Sequence, residues 1–423
     1  MKAGTRSDAI PIQPEKADEK MDQQVLAKMY EEVERESQRT TYPEDFPALP
    51  DIPSARYYDQ GFHDLEMEHV FHKTWLFAAH VSQLPEVGSY KLFEQMNLSI
   101  IVSRGEDDTY RAFRNVCRHR GAALVTEPTG KARRFVCPYH AWGYALDGEL
   151  KSVPEAHNFA CLDKAEKPLA QVRCEVWRGF IFINLDENAQ PLEEFMAPLS
   201  AQIEDFPLDD MVVKDTIVAE LDCNWKTAYD NFLEIYHVNT VHAKSLAPYL
   251  DSKTFTITLL ENGHARFVTR KRGGESFFSA GKDKAARHDY TTRFKDHLFA
   301  LPFFPNGFTA LDPIGFSWQN FWPAGPGKMV MVNTLMGWKK DDAEDREFWK
   351  EMRENQISVL EEDVSLFATI QRSYEQGELP GIVLGYQEQH LYWYNEEIDR
   401  LIGAENIPED MRVEPVLASH TGE

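Results

Sequence analysis

The chain has 423 residues, enough to bury a sizeable core and to divide into two or three domains. With 45 Lys and Arg against 69 Asp and Glu the net charge is −24, which argues against a nucleic-acid partner. No apolar run reaches the roughly 18 residues of a membrane span. The N-terminal MKAGTRSDAIPIQ lacks the apolar stretch of a signal peptide, so a cytoplasmic protein with no membrane contact is expected.

Residues 1–48 read as an N-terminal extension, a polar, helix-prone stretch at 22–39 followed by the breaker-rich TTYPEDFPALPDIP. Residues 62–75 carry Leu65, Met67, Val70 and Phe71 at helical spacing. Between about 75 and 185, short alternating runs such as SYKLFEQ, LSIIVSR and GFIFINL predict a small antiparallel β domain. After Pro191 the spacing predicts strands at 216–221, 254–270 and 314–337, with helices at 225–237, 342–372 and 388–403. The class is α+β, with helices packed on an antiparallel sheet. The expected division is a β domain at 75–185 and a larger domain built from 49–74 and 186–423.

The five cysteines are too few and too scattered for a disulfide framework in a reducing compartment. Two of them instead stand beside histidines. Cys117-Arg-His119 is followed, after seventeen intervening residues, by Cys137-Pro-Tyr-His140. Together the two loops offer two thiolates and two imidazoles. Tetrahedral zinc is one candidate. Zinc fingers, however, usually pair like ligand with like along the chain, whereas each loop here mixes the types. That order suits a [2Fe–2S] cluster with both cysteines on one iron and both histidines on the other.

A second constellation is DNFLEIYHVNTVH, residues 230–242. Glu234 and His237 share a helical face at i, i+3. His242 lies about 140° from His237 at 100° per residue, so the helix must end or distort between them if both bind one ion. The β-branched Val238, Thr240 and Val241 favour that ending. Two histidines and a carboxylate make the facial triad of non-haem Fe(II) oxygenases.

CRHRGA and CPYHAW together resemble the Rieske signature of ring-hydroxylating oxygenase α subunits. Ala141 departs from it, since the family usually has glycine there. If that backbone needs a positive φ, alanine is strained by about 1 kcal/mol. The resemblance implies a Rieske [2Fe–2S] cluster on Cys117, His119, Cys137 and His140, and a mononuclear iron on His237, His242 and Asp363. Asp363 is the carboxylate because EEDVSLFATIQRS resembles the family's ligand helix; read alone, that run is a solvated charged face. Glu234 would bridge His237 to His140 of a neighbouring subunit, with Asp230 as the rival bridge. Asn231 resembles an asparagine found near the iron. Glutamate at 234 resembles the subset oxidising carnitine-like and other quaternary amines.

Further implications are a homotrimer, with or without a small β subunit, and electrons from NAD(P)H through a flavin reductase and, in some relatives, a ferredoxin. The expected activity is mono- or dihydroxylation of a mostly apolar, aromatic substrate with O2. The alternative is oxidative N- or O-demethylation of a methylated or quaternary amine. A different class, a Rieske electron carrier or structural zinc protein, needs none of the residues beyond about 185. Residues 298–327 hold no Lys or Arg, one acid (Asp312) and eight aromatics. They are read either as a neutral aromatic pocket, as an amine cage or as ordinary core.

Overall fold

The computed structural model describes residues 23–272, 294, 296–312 and 314–421. It is α+β, as the alternation of apolar periods predicts. Two seven-stranded antiparallel sheets dominate it. The first is built from β2 (Leu76–His80), β3 (Ser89–Phe93), β4 (Ile100–Arg104), β5 (Tyr110–Arg114), β6 (Thr129–Lys131), β10 (Gln171–Trp177) and β11 (Phe180–Asn184), in the order β2-β11-β10-β5-β4-β3-β6. A three-stranded sheet of β7 (Phe135–Val136), β8 (Gly143–Tyr144) and β9 (Leu150–Ser152) stands beside it. Strand β1 (Ile52–Pro53) pairs only with β19 (Gly381–Ile382).

The second sheet runs β12 (Met211–Leu221), β18 (Lys328–Trp338), β17 (Gly315–Gly325), β16 (Gly307–Leu311), β15 (His297–Phe303), β14 (Ala265–Lys271) and β13 (Leu250–Leu259). The helices are α1 (Gln23–Gln38), α2 (Gln60–Leu65), which continues as a π-helical turn at Glu66–Phe71, α3 (Leu192–Ser200), α4 (Trp225–Phe232), α5 (Val238–Val241), α6 (Ala343–Glu375) and α7 (Gln389–Ile402). Sequence spacing locates α6 and α7 to within a few residues of their ends. None of the described helices is long and apolar enough to cross a membrane.

The two faces of the second sheet have different neighbours, and strand alternation decides which residue meets which. Phe299, Leu301 and Phe303 of β15 pack away from α6, in one cluster with Phe195 of α3 and with Leu26, Met29 and Val33 of α1. The described part of the N-terminal segment is thus docked through an apolar stripe at i, i+3 and i+7. The opposite face, beneath α4 and α6, is where Leu298 and Ala300 point, and it holds the functional cavity.

Candidate metal centres and cavity

The two cysteine–histidine loops are built alike. The first follows β5 and is braced by Asn115, whose side chain accepts from Leu124 N–H (2.8 Å) and donates to the Val125 carbonyl (2.8 Å). The second joins β7 to β8. In each, the backbone closes four residues after the cysteine: Gly121 N–H donates to the Cys117 carbonyl, and Ala141 N–H to that of Cys137, both at 3.0 Å. The closing residue is left-handed both times, with φ +79° at Gly121 and +56° at Ala141. Ala141 is therefore the strained member. Because it is exposed, Ala141→Gly removes no packing. It should raise stability by roughly 0.5–1 kcal/mol, read as a shift in the denaturation midpoint of the metal-loaded protein.

The turns fold each histidine back over its cysteine. The Nδ1 atoms of His119 and His140 lie 3.2 Å apart. Two imidazoles on one tetrahedral metal, with bonds of about 2.0–2.1 Å, would be separated by roughly 3.3 Å. With Nδ1 turned inward, both Nε2 atoms face outward. Cys117 and Cys137 are buried, and the Tyr144 hydroxyl lies 3.4 Å from Cys117 Sγ. Trp142 stacks on His119 (4.8 Å, 8°) and the exposed Tyr139 on His140 (3.8 Å).

In the second constellation the expected helix over 225–237 is shorter than its sequence suggests. Helix α4 stops at Phe232, His237 stands in the following turn, and Val238–Val241 form the single turn of α5. The break falls before His237, not between the two histidines. Two causes are visible. Leu233, Ile235 and Val238 are all buried, a spacing no single helical face provides. Glu234 Oε2 also accepts the His237 backbone N–H (3.2 Å), taking a donor the helix would use.

That turn brings His237, His242 and Asp363 together, their ligand atoms all within 4.8 Å of one another. Asp363 Oδ1 lies 2.9 Å from His242 Nε2 and 3.7 Å from His237 Nε2. Each histidine's Nδ1 is already taken by a carboxylate: Glu234 for His237, and Glu362, at 2.6 Å, for His242. A carboxylate only accepts, so each Nδ1 carries the proton and each Nε2 presents a lone pair. Buried Asp363 Oδ1 has no donor of its own. Two lone pairs and a carboxylate oxygen converging in a buried place call for a cation. Desolvation opposes a charged His242, but Asp363 and Glu362 outweigh it and raise its pKa.

Sequence reasoning missed Glu362, taken there for part of a solvated face. Its carboxylate also accepts from Ser245 Oγ (2.5 Å), which fixes it against His242. Glu362→Ala should lower affinity for the mononuclear metal about 10- to 100-fold, measured by metal retention against a graded chelator. Asp230, the rival bridge, points elsewhere. It accepts from Tyr57 (2.7 Å) and Tyr394, and burial pushes its carboxyl up to about 7. Among the described residues no hydrogen bond, ion pair or ring contact joins His119 or His140 to Glu234, His237, His242 or Asp363.

Known proteins share both halves. Residues 74–168 match the Rieske [2Fe–2S] domain, and residues 208–404 match the ring hydroxylating alpha subunit (catalytic domain). Over 251 residues the chain is 36% identical to the carnitine monooxygenase oxygenase subunit of Escherichia coli strain K12, covering 57% of this chain and 67% of that one. The chain belongs to the Rieske-type ring-hydroxylating oxygenases.

A glycine betaine monooxygenase oxygenase subunit of Pseudomonas aeruginosa strain PAO1 is 33% identical over 200 residues, 47% of this chain and 46% of its own length. The 2-aminobenzenesulfonate 2,3-dioxygenase subunit alpha of Alcaligenes sp is 29% identical over 299 residues, 69% of this chain and 75% of its own. In fold, a crystal structure of a quaternary ammonium Rieske monooxygenase superposes with a TM-score of 0.72 at 23% identity, covering 87% of this chain and 99% of that one. The oxygenase thus carries a Rieske [2Fe–2S] domain and the catalytic domain of mononuclear-iron enzymes, and its family draws electrons from reductases.

Beside Asp363 and the two histidines lies a cavity of about 170 Å³. Its floor is one face of the second sheet, including Thr269, Lys271, Ala310 and Gln319; its roof includes Asn231, Leu246 and Leu360. A cavity of about 150 Å³ in another protein admits benzene, so this one suits a small substrate. Of the eight aromatics at 298–327 only Phe308 lines it, and the others are core. Aromatic lining comes also from Phe232, Tyr249, Phe255 and Phe267. The cavity does hold a cation: Lys271, supplied by the strand before that window and paired with Asp312 at 2.9 Å.

Proposed function

We propose that this oxygenase hydroxylates, and so dealkylates, a small methylated or quaternary amine. The 36% identity to a carnitine monooxygenase oxygenase subunit carries the reading. Two features of the chain support it over a purely apolar arene, and the size of the cavity admits it. At the end of the cavity near His237 and His242 the three carboxylates Glu234, Glu362 and Asp363 outnumber the two charges of a ferrous ion, which favours a cationic head. Phe232, Phe267 and Phe308 line the walls, and aromatic rings attract quaternary ammonium groups. The volume matches a molecule of about one ring's size.

In this reading Cys117, His119, Cys137 and His140 hold the cluster, and His237, His242 and Asp363 hold the iron. The cluster supplies single electrons at a raised potential, and the iron supplies activation of O2. Glu234 and Glu362 fix the proton on Nδ1 of each iron-binding histidine, so that Nε2 stays a donor of electron density. Asn231 lines the cavity one turn before Glu234 and bounds where the substrate lies. The domain division is read as 75–185 for the cluster, and 49–74 with 186–423 for the iron.

The active assembly is read as a head-to-tail homotrimer. Among the described residues no contact joins the two centres within one chain, and each has an exposed aromatic beside it, Tyr139 at 55% and Tyr236 at 76%. A ring of protomers would set His140 of one against Glu234 of the next. NAD(P)H electrons would arrive through a flavin reductase, with or without a ferredoxin. The test is a single turnover of the reduced, metal-loaded protein with O2 and a mixed panel of methylated amines and neutral arenes. Hydroxylated or demethylated amine products are expected; turnover of the arenes alone would refute the reading.

A further inference from the structure

Asp230 is the acidic side chain of residues 230–242 that the metal reading leaves unused. It lies four residues before Glu234, whose carboxylate holds Nδ1 of His237. Two phenols share it. Tyr57 donates to Oδ2 (2.7 Å) and Tyr394 to Oδ1, and both tyrosines are fully buried. They come from distant segments, the turn at Ser54–Tyr57 and helix α7, so the cluster exists only in the folded chain.

Rings in contact join this cluster to the cavity. Phe232 lines the cavity, and its ring lies 5.1 Å from that of Phe321, centroid to centroid. Phe321 lies 5.3 Å from Tyr229, and Tyr229 lies 5.4 Å from Tyr394. On the far side, Tyr57 lies 5.2 Å from Tyr374 of α6, which is close to the surface at 7% exposure. The hydroxyls along this row differ in what they meet. Tyr229 donates to the Gly307 carbonyl (3.1 Å), an amide oxygen too weakly basic to keep a proton. Tyr57 and Tyr394 donate to a carboxylate, which can take one.

That difference decides which ring is easily oxidised. A phenol gives up an electron readily only when its proton leaves too, because the radical cation is a very strong acid. An oxidant able to hydroxylate a C–H bond is also able to oxidise a phenol, whose O–H bond is weaker. With substrate in the cavity the C–H bond is the nearer target. With the cavity empty, the same oxidising power is left beside the histidines that hold the metal.

We infer that Tyr394 and Tyr57 are a redox sink for the metal site. Without substrate, one of them passes an electron to the oxidised site and its hydroxyl proton to Asp230, and becomes a neutral tyrosyl radical. An external one-electron reductant, a thiol or ascorbate, then restores the phenol as the proton returns from Asp230. The sink rests on iron at His237, His242 and Asp363, and on no particular substrate.

The test is freeze-quench paramagnetic resonance on the metal-loaded, substrate-free enzyme after mixing with hydrogen peroxide. It is run at about pH 8, where the Asp230 carboxyl, pushed up to about 7 by burial, is mostly ionised. A tyrosyl signal is expected, and its hyperfine pattern should collapse in protein grown on ring-deuterated tyrosine. Tyr394→Phe, which leaves Asp230 its bond from Tyr57, should lower the signal at least twofold. Asp230→Asn should lower it at least fivefold with both phenols in place, and Tyr229→Phe should leave it unchanged. Oxidised peptides carrying His237 and His242, measured by mass spectrometry after repeated peroxide, should rise at least threefold in Asp230→Asn. No tyrosyl signal from the unaltered enzyme, an undiminished signal in Asp230→Asn, or an equal signal from protein stripped of its mononuclear iron would overturn the sink. The unaltered enzyme can therefore refute it whether or not a variant folds. If the signal behaves as expected yet no methylated amine is oxidised, the sink stands and the proposed reaction fails.

Discussion

His237→Ala should abolish turnover and cost the oxygenase one of the three irons per chain that a [2Fe–2S] cluster and a mononuclear site require, while the visible band of the cluster stays. His237 stands in a turn with its side chain 17% exposed, so truncation removes little packing. What it removes is one of three atoms that converge on a single point. His242 Nε2 and Asp363 Oδ1, 2.9 Å apart, would remain. Two protein donors do not hold Fe(II) in the facial arrangement, and the expected loss of activity is complete within detection. Metal analysis with an absorption spectrum decides it. Full iron content in the variant would remove His237 from the ligand set, and loss of the visible band with the iron would mean that the fold had failed.

The cluster loops and the general fold were legible because their signals are local. A cysteine and a histidine two or three residues apart, closed by a turn, need no knowledge of distant contacts, and the sheets follow from alternation. Residues 230–242 were only half legible. That His237 and His242 meet follows from the need to share an ion, but the site of the helix break depends on the core that Leu233, Ile235 and Val238 all enter. Asp363 was reachable only through resemblance, since 120 residues separate it from His242 and its neighbours Glu361 and Glu362 look like a charged surface. Glu362 was missed for the same reason. The aromatic run at 298–327 misled in the other direction. Alternation turns Phe299 and Phe303 into the cluster beneath α1 and α3, leaving the smaller Ala300 and Ala310 to line the cavity. Lys271 and Asp312, 41 residues apart, meet only because β14 and β16 flank β15 in the sheet, which no local pattern announces.

Glu234→Ala should cost the iron the same 10- to 100-fold in affinity expected of Glu362→Ala and, with the iron site kept saturated, should still lower product formation at least a hundredfold. The iron keeps its three ligands, since Glu234 touches His237 only at Nδ1 and at the backbone N–H. What goes is the carboxylate between His237 and whatever approaches from outside, where Tyr236 marks an exposed face. If that visitor is His140 of a neighbouring protomer, its outward Nε2 would donate to the same carboxylate, and the variant breaks the bridge. The measurement that separates bridging from mere support of His237 is the reoxidation of the reduced cluster after mixing with O2 and substrate. It should slow in Glu234→Ala by about the same factor as product formation, and Glu234→Asp should recover part of it. A loss confined to iron affinity would make Glu234 a positioning residue for His237 alone. Asp230 cannot take over, because its carboxylate is committed to Tyr57 and Tyr394. A fully coupled Glu234→Ala enzyme would therefore leave no carboxylate on this stretch to carry the bridge, and electron transfer between subunits would need another route.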